Sequence, residues 1–166
     1  MKRMFAPVLL LGLVLAAAGC GPGEDPEADV PGRSRFVFHC SPCHGKDGLG
    51  SRHLFPPLAG ESWVNDAPEI PIRIVLHGLE GRLVMEGEEY LNKMPGLGLT
   101  LDDARIAEIL TYVRGAFGNT AGPVSPEEVA RVRALTADRR HPYQVEEMLA
   151  VRDSVRAASG DSTDVR

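Results

Sequence analysis

Two cysteines three positions apart, followed at once by a histidine, constrain this 166-residue chain more than any other feature: Cys40-Ser41-Pro42-Cys43-His44. At that spacing both thiols reach the two vinyl groups of one porphyrin while the adjoining imidazole is presented to its iron, the pattern of c-type haem attachment. Zinc needs four protein ligands, and although His39, His44 and His53 are near in sequence, no second Cys-x-x-Cys completes a set. A thioredoxin-like redox pair follows a strand in a β-α-β context, which is absent here. One motif implies one haem, with Cys40 and Cys43 as attachment points and His44 as an axial ligand. Aromatic residues make up only 5% of the chain, so a bulky apolar cofactor supplies packing surface that side chains do not.

The opposite face of the iron then needs a ligand from a distant segment. Met94 is the best candidate: it precedes Pro95-Gly96 in a non-helical loop, fifty residues beyond His44, enough chain to travel round the ring. Met85, in a predicted hairpin, and Met148, on a late helix, read better as core residues. His77 follows the apolar run Ile74-Val75-Leu76 and reads as a helix-end residue rather than a rival ligand.

The chain opens Met-Lys-Arg-Met and continues with an apolar run from Phe5 to Ala18, a charged segment followed by a hydrophobic one of export-signal length. That run is shorter than the roughly 20 residues a membrane-spanning helix needs. Residues 1–19 are therefore expected to be removed. Leu15-Ala16-Ala17-Ala18-Gly19-Cys20 resembles a bacterial lipobox, with Ala17 where leucine is usual, and implies acylation of Cys20; ordinary cleavage after Ala18 is the alternative. Lipidation accounts for the odd cysteine among the three in an exported chain. Residues 20–32, rich in proline, glycine and acids, read as a flexible tether to the periplasmic side of a bacterial membrane. The formal charge of −5 argues against nucleic acid as a partner.

Beyond the tether, 33–124 reads as the haem domain, 125–156 as a helical C-terminal extension and 157–166 as a disordered tail. Helices are predicted from Arg33 to Cys40, Pro68 to Leu76 and Leu101 to Phe117, the last with Thr100 and Asp103 as a capping box and Gly118 as its stop. Ile106, Ile109, Leu110, Val113 and Phe117 share one face of it. Glu86-Gly87 predicts a hairpin between Arg82 and Tyr90. The extension is expected to hold one helix from Ser125-Pro126-Glu127-Glu128 to Leu135 and another from Tyr143 to Val155. The glycines of Gly45-Lys46-Asp47-Gly48-Leu49-Gly50 are expected to let backbone approach a flat ligand.

Several of these segments together resemble a class I c-type cytochrome of the bacterial kind: Cys40 to Gly45, Phe55-Pro56-Pro57-Leu58, Ile74 to Leu79, Tyr90, Met94-Pro95, Thr111 to Arg114 and Phe117-Gly118-Asn119. The resemblance covers about residues 33–124 and implies an all-α fold wrapped round one covalently bound haem c, with the first and last helices crossing at Phe36 and Tyr112. It also implies that a carbonyl in Pro56-Pro57 accepts the proton on the outer nitrogen of His44. It places Pro57, Trp63, Arg73 and Tyr90 in the haem pocket, the last three bonding haem propionates or packing. The implied role is electron transfer, not catalysis. The donor would be a quinol-oxidising complex or a dehydrogenase and the acceptor a terminal oxidase; a fixed subunit of such a complex is the alternative. The extension resembles C-terminal segments of the same subgroup and either braces the domain or docks a partner.

Overall fold

The computed structural model describes residues 30–159. The predicted signal, Cys20, most of the tether and residues 160–166 of the tail lie outside the described residues. Along the chain come α1 (Arg33–His39), α2 (Ser41–His44), α3 (Ser62–Asn65), α4 (Glu69–His77), β1 (Gly78–Glu80), β2 (Leu83–Met85), β3 (Glu88–Tyr90), β4 (Met94–Pro95), α5 (Asp103–Gly115), α6 (Pro126–Leu135), β5 (Tyr143–Gln144) and α7 (Val145–Ser159). Helix accounts for 47% of the described residues, so the scaffold is helical, but the all-α expectation needs correcting. The predicted hairpin is there as β2–β3, and a second sheet of order β4-β1-β5 was not foreseen. Among the described residues no helix is long and apolar enough to cross a membrane.

Local chemistry sets the helix ends. α5 starts later than predicted because Leu97 O accepts from both Thr100 N–H and Leu101 N–H, which makes 97–101 a turn. Asp102 is then the extended residue whose carboxylate caps Arg105 N–H, and it displaces Thr100 as the N-cap. The helix also stops early, at Gly115, and Phe117 takes a left-handed φ of 58° that swings its ring back onto the core. α6 begins as predicted, with a reciprocal capping box between Ser125 and Glu128. The last helix does not begin at Tyr143. That residue and Gln144 pair in parallel with Leu79 and Glu80, and helix follows from Val145 to Ser159, past the expected end of the extension.

The apolar side chains form two clusters with α4 between them. The larger takes Ile72, Val75 and Leu76 from α4, Phe36 from α1, the inner face of α5, and Val129 and Val132 from α6. The smaller takes Ile70 from α4, Leu83, Met85 and Tyr90 from the hairpin, and Tyr143, Val145 and Met148 from the far end of the chain. Val129, Val132 and Met148 have no exposed surface, so the predicted boundary at 124/125 marks no break in the core. Phe36 and Tyr112 meet as expected, ring centroids 5.5 Å apart, where α1 crosses α5.

Two polar knots tie this frame together. Arg114, 4% exposed, donates to the carbonyls of Val64, Asp66 and Gly122 at 2.6, 2.8 and 2.8 Å, so its buried charge is met by backbone dipoles. Asp66, its side chain 4% exposed, receives Arg152 and Arg156 from α7 and its neighbour's amide, Ala67 N–H. Burial pushes the Asp66 pKa up, but the Ala67 amide and the two arginines outweigh it and hold the carboxyl below its ordinary value. A lowered folded-state pKa stabilises the protein above the unfolded carboxyl value of about 4, and that stabilisation is lost as pH falls through the folded one. Asp66→Asn is accordingly expected to cost about 2–3 kcal/mol at pH 7 and to flatten the acid limb of the stability curve. Urea denaturation at pH 7 and pH 3 checks it, and equal midpoints for variant and parent at pH 7 would contradict it.

Candidate haem site

The last turn of α1 delivers the cysteines. Phe36 O accepts from Cys40 N–H, Cys40 O accepts from Cys43 N–H and His44 N–H, and Ser41 Oγ donates to Val37 O. This puts Cys43 and His44 on the short helix α2 and Cys40 at its N-cap, with Cys40 half-buried against the larger cluster and Cys43 exposed. Both thiols are free. Burial first, and the neighbouring Cys43 second, push the Cys40 thiol up to about 11, so it is protonated at neutral pH.

His44 is buried, and that burial lowers its pKa against the opposing effect of its bond to Pro56. The bond runs from Nδ1 to the Pro56 carbonyl at 2.9 Å. A carbonyl oxygen only accepts, so Nδ1 carries the proton and Nε2 keeps the lone pair a metal requires. The acceptor expected within Pro56-Pro57 is the Pro56 carbonyl. A tight loop places it: Gly50 N–H donates to His44 O at 2.8 Å, and Leu58 N–H donates to Gly48 O at 2.7 Å. Gly50 has a φ of 66°, and a Cβ there would lie 2.3 Å from Phe55 O. The glycine therefore permits a close approach by the chain's own backbone at Phe55 and Pro56. Asn119, also buried, holds the far end of this loop by donating from Nδ2 to Leu58 O and Val113 O.

Met94 sits in β4 rather than in a free loop, paired with Leu79 of β1. It is half-buried and packs against both apolar clusters, as no other methionine among the described residues does. Met85 and Met148 are core residues of the smaller cluster. His77 ends α4 and bonds Thr136 Oγ1 through Nε2 at 2.7 Å; burial, then Arg139, Arg133 and Arg73, lower its pKa. The remaining pocket candidates have other partners. Arg73 is paired with Glu69 and donates to Tyr143 Oη at 2.8 Å, facing the extension. Trp63 lies under Arg152, 5.2 Å from ring centroid to guanidinium, and Tyr90 is buried in the smaller cluster. Arg114 and Asn119 lie in segments that carry the family resemblance, but their bonds to distant carbonyls have no signature in the spacing of the sequence.

This donor set fits haem and not a bare ion. Among the described residues no three His, Cys, Asp or Glu side chains are grouped to hold a metal. A porphyrin brings four nitrogens of its own and asks the protein only for axial ligands and, in the c type, two thiols.

Known proteins agree with that chemistry. The family described as "Cytochrome C oxidase, cbb3-type, subunit III" matches residues 27–113. Cytochrome c-552 of Thermus thermophilus is 30% identical over 143 residues, which cover 81% of this chain and 88% of that protein. The cytochrome c subunit of the quinone-dependent alcohol dehydrogenase of Gluconacetobacter polyoxogenes is 32% identical over 111 residues, 64% of this chain but 23% of the relative, so the chain spans about a quarter of it. A cbb3-type cytochrome c oxidase subunit of Cereibacter sphaeroides is 30% identical over 100 residues, 59% of this chain and 31% of its own length. The chain thus belongs to the cytochrome c family, with covalently bound haem c as its cofactor and electron transfer as its role.

Proposed function

We propose that Cys40 and Cys43 hold one haem through thioether bonds, that His44 Nε2 and the Met94 sulfur are its axial ligands, and that the protein is a membrane-tethered electron carrier. The observation that carries this reading is the buried His44, its Nδ1–H committed to Pro56 O, in a short helix that also bears the free Cys43 thiol and has the free Cys40 thiol at its N-cap. When bound, the haem supplies a one-electron couple. His44 orients through Pro56 and is already neutral, so no proton need leave it when a metal binds. Met94 contributes a soft, uncharged thioether, which favours the ferrous state and raises the potential. With both axial positions taken by side chains, substrates have no place to bind, and the protein passes electrons without acting as an enzyme.

In this proposal Cys20 is acylated on the periplasmic side of a bacterial membrane, and the tether keeps the domain near membrane-bound partners. Electrons arrive from a quinol-oxidising complex or a dehydrogenase and leave to a terminal oxidase. The match to a dehydrogenase cytochrome subunit favours a second reading, a fixed subunit of such a complex; co-migration with a larger assembly in mild detergent would select it. Mass spectrometry of the purified protein tests the proposal itself. We expect a mature chain starting at an acylated Cys20, with one haem on the peptide containing Cys40 and Cys43; that peptide recovered with both thiols unmodified would overturn the assignment.

A further inference from the structure

The strand that bears Met94 is held by parts of the chain far from it in sequence. β1 is the middle strand of its sheet: on one side Gly78 and Leu79 pair antiparallel with Pro95 and Met94, and on the other Leu79 and Glu80 pair in parallel with Tyr143 and Gln144. Gly78 permits the first pairing, since a Cβ there would lie 2.4 Å from Met94 O. After the strand, Leu97 N–H donates to Val75 O at 2.8 Å and Gly98 N–H to Leu76 O at 3.0 Å, which lays residues 97–98 along the end of α4.

Side chains of α6 and its C-cap grip the same segment. Arg133 donates from Nη1 to Gly98 O at 2.5 Å, from Nη2 to Leu101 O at 3.0 Å and from Nε to Asp103 Oδ1 at 2.7 Å. All three acceptors lie between Met94 and the first turn of α5. Thr136 gives its one hydroxyl proton to Val132 O at 2.8 Å, so its oxygen accepts from His77 Nε2–H, one residue before β1. Arg139 stacks on the Tyr143 ring and donates to the carbonyls of His141 and Pro142, which fixes the approach to β5. A cationic cavity opens beside these groups, but Arg133 and Arg139 are turned to the chain's own carbonyls and carboxylates, Asp103 and Glu147. They act as fasteners there and not as an anion site.

We infer that Arg133 and Thr136 are positioning residues for Met94: through the 94–101 segment and the end of α4, the C-terminal extension sets how long the sulfur stays on the iron. The inference rests on the proposed axial role of Met94. A ligand carried on a strand leaves at the rate at which that strand opens locally, and contacts holding the strand slow this opening without needing the whole protein to unfold.

The test uses full-chain ferric holoprotein mixed with saturating cyanide, and follows loss of the thioether-to-iron absorption band. Arg133→Ala, which removes charge-assisted bonds to two carbonyls and a carboxylate, should speed displacement by roughly tenfold. Thr136→Val, nearly isosteric, should speed it less but in the same direction, and it decides the matter should Arg133→Ala fail to fold. Arg82→Ala, on the exposed hairpin, should exchange at the parental rate. A folded Arg133 or Thr136 variant that exchanges as the parent does, even with a lowered unfolding midpoint, overturns the inference and leaves only a structural brace. A parent protein lacking the band removes Met94 as ligand and takes the inference with it.

Discussion

Met94→Ala is expected to turn a low-spin ferric spectrum into a high-spin one, abolish the thioether-to-iron band and let carbon monoxide bind the reduced protein rapidly. The potential should fall as well, by about 59 mV for each tenfold loss of preference for the ferrous state, because the thioether is the ligand that favours ferrous iron. The fold should survive, since Met94 is half-buried at the meeting of two clusters that each have their own closely packed members. Electronic spectra, carbon monoxide mixing and a redox titration report these changes separately. An unchanged ferric spectrum and potential would mean that the sixth ligand lies elsewhere, and the electron-carrier proposal would lose its basis.

The second large effect falls on the frame. Phe36 has no exposed surface and meets the rings of Tyr112 and Phe117 at 5.5 and 5.2 Å. Truncating a fully buried phenylalanine typically costs 3–5 kcal/mol, against a total stability of about 5–15 kcal/mol for a domain. Phe36→Ala should therefore lower the denaturant midpoint severely with little change in slope, and Phe36→Leu should recover much of the loss. The cost has a local consequence too, because Phe36 O accepts from Cys40 N–H. Loosening the α1–α5 crossing loosens the turn that presents both thiols. A variant as stable as the parent would show that the aromatic cluster is not what pins α1.

What could be read from the sequence was whatever chemistry confines to a few neighbouring residues. Cys40-x-x-Cys43-His44, the helix start at Ser125-Pro126-Glu127-Glu128 and the Glu86-Gly87 turn are each specified within six positions, and each has its structural counterpart in α2, α6 and the β2–β3 hairpin. The three-stranded sheet was illegible for the opposite reason. Its strands are two or three residues long, too short for an alternating pattern, and their pairing depends on partners distant in the chain. Tyr143 was read as helical because the residues after it are. Asp102 was passed over as a cap in favour of Thr100 because both residue types cap well, and only the turn at 97–101 chooses between them. Nothing local in the sequence shows that Arg73 pairs with Glu69 and reaches Tyr143, seventy residues away.

The parallel pairing of Leu79 with Tyr143 also fixes an order of assembly. The turn holding the cysteines closes through bonds between near neighbours, whereas the sheet beside Met94 must wait for a strand that lies much later in the chain. Bringing such distant segments together carries a loop-closure cost that short-range helix does not. During maturation the thiols would thus be presented early, on a chain still open on its far side. Pairing of the late strand then completes the sheet that carries Met94, so the cysteine turn can form before that sheet is whole.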